Sequence, residues 1–140
     1  MTDSPTLGRH LARLSILPLA LALHVAVAQA QTASCDAATF TKLGLPATRI
    51  VSATTVSDDK RVPGSHCVLR AAVNERTGTD GKPYAIGFEM RLPQTWNGGY
   101  VDQLNGGNDG NVVPAYGNLP GGMPDTALAR GYAVLSSDSG

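Results

Sequence analysis

Between Tyr100 and Ser136 the chain runs strand, glycine loop, helix, strand, and this order restricts the fold more than any other feature of the sequence. Tyr100-Val101-Asp102-Gln103-Leu104 is short and strand-prone, and it leads into Leu104-Asn105-Gly106-Gly107-Asn108-Asp109-Gly110. Residues 111–124 are interrupted by Pro114, Pro120, Gly121-Gly122 and Pro124, which leaves no room for a long element. Asp125 is placed to cap a short helix over residues 126–130, Gly131 stops it, and residues 132–136 form a strand again. Two strands joined in this way lie parallel in one sheet. The fold class that follows is α/β.

Upstream, the β-branched run 49–56 lies between Pro46 and the polar Ser57-Asp58-Asp59-Lys60, and predicts a strand. Residues 66–73 and 84–92 predict two more, joined by a polar hairpin loop over 74–82. These two are expected as an antiparallel pair at the sheet edge, giving a mixed sheet. In 84–92 the even-numbered Tyr84, Ile86, Phe88, Met90 and Leu92 alternate with Ala85, Gly87, Glu89 and Arg91, so the even set is expected to face the core. Residues 35–45 suit a short helix or turn closed by Gly44 and Pro46. Without more chain the last strand would be left uncovered on one edge, so residues 31–140 are expected to be an incomplete domain.

Residues 1–30 carry Arg9, His10 and Arg13 before the apolar stretch 14–28 and end in Ala28-Gln29-Ala30. This is the pattern of a secretory signal peptide with a small-x-small cleavage site. No second apolar run of about twenty residues follows, so nothing is expected to hold the mature chain at a membrane. Cleavage removes Arg9, Arg13 and Asp3 and leaves a net charge of about −1. There is no basic stripe interleaved with aromatic residues, which argues against nucleic acid as a partner. His66 is the one histidine left, too little for a histidine-based metal cluster or a spare general base.

Cys35 and Cys67 are the two cysteines. Export and an even count make a disulfide between them the leading expectation. Two separately buried thiols, or pairing with a cysteine elsewhere, stay open. The internal bond would close a loop of about 33 residues, worth roughly 3–4 kcal/mol of unfolded-chain entropy.

Ligands bind outside the carboxyl ends of parallel strands in open α/β sheets, and the glycine loop falls there. Its glycines allow close backbone approach, and a pair of amide N–H groups could face a developing negative charge. A tight turn with no chemical task is the plainer reading. It is no phosphate loop, for no Gly-Lys-Ser/Thr follows, and the spacing is not that of a dinucleotide fingerprint.

Three motifs in order, Tyr84-Ala-Ile-Gly-Phe-Glu-Met-Arg-Leu-Pro-Gln-Thr-Trp-Asn-Gly98, Asn105-Gly-Gly-Asn-Asp-Gly110 and Ala129-Arg-Gly-Tyr-Ala-Val-Leu-Ser-Ser-Asp-Ser-Gly140, resemble the amino-terminal part of the tannase and feruloyl esterase family. The resemblance covers the chain from about Cys35 onward. It departs from the family where Gly99 stands in a usual arginine position and where Leu104-Asn105 precede a shorter glycine run. It implies an α/β hydrolase with a mixed sheet, a lid domain that often carries a structural calcium ion, and a Ser-Asp-His triad. The lid, the nucleophile and a cysteine pair that brackets the triad fall outside residues 1–140, so the segment by itself is expected to be inactive and to hold no cofactor.

The implied chemistry is acyl transfer on an ester of an aromatic or phenolic acid, a small-molecule substrate. This segment would supply half of the oxyanion hole from the backbone N–H of Gly106 or Gly107. Asn108 and Asp109 are expected to support that loop. Asp138 lies beside the implied cleft, with three readings: a triad acid, a carboxylate that ties backbone N–H groups together, or a solvated side chain. The first is disfavoured because the acid follows the nucleophile in this fold. Ser136, Ser137 and Ser139 lack the Gly-x-Ser-x-Gly elbow, His66 suits a structural role, and Trp96 suits loop packing better than a substrate platform. The rival from another class is a catalytically inactive secreted module binding carbohydrate or phenolic ligands on the same fold.

Overall fold

The computed structural model describes residues 34–104, 110–118 and 125–139. The expected leader over residues 1–30 lies outside them. A helix α1 (Ala37–Thr41) precedes five strands, β1 (Thr48–Val56), β2 (His66–Thr77), β3 (Pro83–Pro93), β4 (Tyr100–Gln103) and β5 (Ala133–Ser137). They form one mixed sheet in the order β1-β2-β3-β5-β4. Neighbouring strands are antiparallel except β4 and β5, which are parallel, with Tyr100 opposite Ala133 and Gln103 opposite Ser136. The crossover expected from residues 100–136 is therefore present. No described helix is long and apolar enough to cross a membrane.

Three expectations about strand order and element extents are corrected. First, β2 and β3 are not at the edge: β1 takes the edge beside β2, and β5 inserts between β3 and β4, so β4 rather than the last strand is the open edge on that side. Second, β2 runs on to Thr77 past a register shift after Val73, where Asn74 has φ 54° and donates its N–H to the Ala47 carbonyl. The hairpin loop shrinks accordingly, closed by Gly78 N–H to Lys82 O and by the Asp80 carboxylate, which accepts from Lys82 N and the Tyr84 hydroxyl. Third, the crossover helix is only one 3-10 turn over Leu128–Arg130. Thr126, not Asp125, supplies its side-chain acceptor, to Ala129 N. Gly131 ends it with φ 85°, a left-handed conformation that favours glycine.

The buried face of β3 is the odd-numbered one, opposite to the expectation. Glu89 and Arg91 are 2% and 6% exposed, whereas Phe88, Met90 and Leu92 are only half-buried. Register explains which residues share each face. Arg91 sits between Val68 of β2 and Val134 of β5, and Glu89 sits between Arg70 and Ser136. Across this face lies the core of Val62, Ala115, Tyr116, Ala127, Leu128 and Val134, with Val101 packed against it. The irregular stretch after the glycine loop thus supplies the apolar cover, while the strand beneath it supplies charge. Gly117 is required there: its φ is 66°, and a Cβ would stand 2.6 Å from that of Ala127.

On the other face Leu69, Ala71 and Cys67 of β2 pair with Met90, Phe88 and Leu92. The Cys35–Cys67 disulfide is formed, with a Cα–Cα distance of 5.6 Å, and ties the entrance of α1 to this face. Asp36 caps α1 through Thr39 N. Hydrogen bonds from the Thr39 side chain, then from Ser34, hold its carboxyl pKa down at about 2.

Candidate active-site segment

Because β4 and β5 run in the same direction, their carboxyl ends open side by side, and the chain leaves them as Leu104 and Asp138. The residues singled out for the oxyanion role, Gly106 and Gly107, and their supports Asn108 and Asp109, lie outside the described residues. What the structure does give is the frame at both ends of that loop. Gln103, the last residue of β4, accepts a 2.7 Å bond from Gly117 N through Oε1 and donates from Nε2 to Pro114 O at 3.3 Å. Glu89 accepts from Ala115 N at 3.1 Å. Main-chain bonds from Ala127 N to Gly117 O and from Leu128 N to Tyr116 O complete the hold. A buried stretch with no regular structure must satisfy its backbone polar groups somewhere. Here Gln103, Glu89 and the 3-10 turn meet much of that need.

Glu89 belongs to a buried ionic network. Its Oε2 accepts from Arg70 Nε and Nη2 at 3.0 and 2.9 Å, and its Oε1 from Arg91 Nε at 2.7 Å. Arg91 also lies 3.5 Å from Asp59, whose Oδ2 accepts the Tyr116 hydroxyl. The guanidinium groups of Arg61 and Arg91 stack on the Tyr116 ring at 3.6 and 3.9 Å from its centroid. Burial pushes the Glu89 pKa up, but bonds from Arg91, Ala115 N and Arg70 outweigh it, and the net direction is down. The Tyr116 hydroxyl is the main cause of a lowered Asp59 pKa. Burial, followed by the Arg91 charge, lowers that of His66. His66 Nε2 is 3.2 Å from Arg91 Nη1, and its buried Nδ1 has no hydrogen-bond partner among the described residues.

Asp138 turns back onto β3. Both carboxylate oxygens accept from Gly87 N at 3.0 Å, and Asp138 N donates to Gly87 O. A Cβ at residue 87 would stand 3.0 Å from Asp138 Oδ2, so a larger residue there would press on the Asp138 carboxylate. Ser136 is fully buried between Glu89 and Gln103. His66 is opposite Pro93, four residues along β3 from the level of Ser136, which is roughly 13 Å at strand rise and far beyond proton-transfer reach. Trp96 is 63% exposed and donates Nε1–H to Gly99 O within its own turn. Among the described residues no group of three or more His, Cys, Asp or Glu side chains is placed to hold a metal ion. A concavity of about 880 Å³ forms an open trough at the β1 side, lined by residues including Ala47, Arg49, Asn74 and Glu75. Its Arg49 and Glu75 already pair with each other at 2.6 Å.

Sequence inspection did not find Gln103, Glu89, Arg91, Asp59 or Tyr116. The signal present was the placing of Glu89 and Arg91 at alternate positions of an otherwise apolar strand, with Arg70 on the preceding one.

No family model matches the chain. It is 39% identical over 75 residues to a mono(2-hydroxyethyl) terephthalate hydrolase of Piscinibacter sakaiensis, a match covering 54% of this chain and 12% of that protein. It is 30% identical over 105 residues to an uncharacterized esterase of Agrobacterium fabrum, covering 71% of this chain and 18% of the relative. The chain is related to ester hydrolases. It spans less than a fifth of the length of either relative. The mixed sheet with its parallel pair is compatible with the α/β fold that such a relationship suggests.

Proposed function

We propose that this chain is the amino-terminal part of an exported serine esterase of the tannase and feruloyl esterase type, acting on esters of aromatic or phenolic carboxylic acids. The observation that carries the reading is the relationship to two ester hydrolases, one of them named for a terephthalate monoester. The parallel β4–β5 pair, with a glycine loop leaving its carboxyl end, supports it. The disulfide is compatible with an oxidising compartment outside the cytoplasm.

In this reading a serine beyond Gly140, activated by a histidine, attacks the ester carbonyl, and the acyl-enzyme is then hydrolysed. This segment contributes an amide N–H of Gly106 or Gly107 to the oxyanion and holds no nucleophile or base of its own. The full-length protein should hydrolyse a 4-nitrophenyl ester of benzoate and leave peptides intact, and residues 31–140 alone should show no turnover. Absence of esterase activity in a folded full-length protein would sink the reading in favour of a binding module. Labelling of the 31–140 piece at Ser136, Ser137 or Ser139 by a fluorophosphonate would refute the division of roles.

A further inference from the structure

His66 opens β2 on the covered side of the sheet, opposite Pro93 and two residues before the Val68–Arg91 pair. It is 2% exposed, and its Nε2 lies 3.2 Å from Arg91 Nη1. A guanidinium has only donors to offer, so Nε2 is the acceptor and the ring is neutral, with its proton on Nδ1. Arg91 is in turn the hub of the cover over β3. Its Nε donates to Glu89 Oε1, the atom that also accepts from Ala115 N, and its guanidinium stacks on the Tyr116 ring, whose hydroxyl is held by Asp59. His66 braces this hub from the β2 side.

A second proton on His66 sets an N–H and a positive charge against the Arg91 N–H at 3.2 Å, and the bond becomes a repulsion. Arg91 and Glu89 from β3 and Asp59 from the chain after β1 face the ring, and Asp59 is itself bonded to Arg61 and Tyr116. The partners of Glu89 and Asp59 hold those carboxylates below their ordinary 4.5 and 3.8, burial pushes the Tyr116 hydroxyl up, and arginine keeps its charge throughout. Between about pH 7.5 and 5, His66 is therefore the member of this group whose charge changes. We propose that His66 is an acid-operated latch: its protonation drives Arg91 away and loosens the cover at residues 115–117 while the strands stay paired. The latch is independent of the esterase chemistry. Burial and then the Arg91 charge lower the pKa of the closed ring below 6.5, so the latch is shut above that value and opens as pH falls below it. With the ordinary value of 6.5 in the open state, opening is favoured by up to about 30-fold at pH 5 over pH 7.5.

The test is amide hydrogen exchange of the full-length protein, read by mass spectrometry at about pH 7.5 and about pH 5 and corrected for the intrinsic effect of pH on exchange. In acid the amides of residues 115–117 should lose protection by about 5- to 30-fold, while those of residues 68–72 in β2 keep theirs. His66→Gln leaves Arg91 an acceptor but cannot titrate, so protection at 115–117 should be the same at both pH values. His66→Phe keeps a ring without an acceptor; it serves if the glutamine variant does not fold, and should be equally insensitive to pH. The wild-type comparison decides alone if neither variant folds. Unchanged wild-type protection at 115–117 overturns the latch. A loss shared equally by residues 68–72 is acid unfolding of the sheet and overturns it too, as does a pH response that survives in folded His66→Gln or His66→Phe.

Discussion

Replacing Glu89 by Gln tests whether the ionic network under the irregular stretch is as dry as its geometry indicates. The carboxylate is 2% exposed and receives four donors, two from Arg70 and one each from Arg91 and Ala115. A glutamine can keep its oxygen toward Arg91 and Ala115 only by turning its NH2 onto Arg70. Breaking a buried pair by removing one partner costs about 3–5 kcal/mol. The low end applies here, because the Arg70 side chain is 59% exposed and can turn to water, while Arg91 keeps Asp59 at 3.5 Å. About 3 kcal/mol, with a urea slope of about 2 kcal/mol per molar, moves the denaturation midpoint down by about 1.5 M. Glu75→Gln is the control, because the Arg49–Glu75 pair has side chains 58% and 46% exposed and should leave the midpoint almost unmoved. A Glu89→Gln shift below about 0.5 M with an unchanged slope would show that water reaches the network and that its charge does not hold Ala115 in place.

Three further outcomes follow from the same contacts. Since burial and then Arg91 lower the His66 pKa below its ordinary 6.5, His66 folds neutral; its contribution is complete above pH 6.5 and is lost as pH falls below that value. Arg91, Asp59 and Glu89 are the charged groups that act on it, and the depressed Glu89 adds a second loss as pH drops below its ordinary 4.5. The urea midpoint should therefore decline between pH 6.5 and 5 in the wild type and less steeply in His66→Asn; identical slopes would refute the assignment. Reducing the Cys35–Cys67 bond, which spans a sequence separation of 32, should cost about 3–4 kcal/mol, and a native protein that takes up two alkylating groups without reductant would show the bond unformed. Leu128→Ala, at 1% exposure in the cluster over β5, should cost about 2–5 kcal/mol, and a loss under 1 kcal/mol would mean that the site collapses around the missing atoms.

How much of this was legible in the sequence depended on whether a signal was local. The strand bodies, the Gly131 stop and the parallel crossover follow from β-branched runs, turn residues and connection length, and the structure has all of them. Strand order was not legible. β5 pairs with β3 across some forty intervening residues, and nothing near either strand announces that partner. The face of β3 was misjudged for a related reason. Alternation identifies two faces, but the side that is covered is decided by the chain that returns over it, here Ala115, Tyr116 and Leu128 after a run of prolines and glycines that offers no periodicity.

Charge on the covered side looked like a solvated edge because a lone Glu or Arg seldom stays buried. Glu89 and Arg91 escape that rule by pairing with each other and with Arg70 and Asp59, which the chain supplies from 19 and 32 residues away. The same long reach hid Gln103. Its residue type and its place at the end of β4 are ordinary, and only the fold reveals that its two amide atoms meet Pro114 and Gly117. Those bonds explain why the segment after the glycine loop can be buried without helix or strand. A stretch of such composition would normally stay on the surface, where water satisfies its backbone. Here side chains on the sheet take over that task, so the strands beneath the loop carry polar groups at the positions where a simple core would carry leucine.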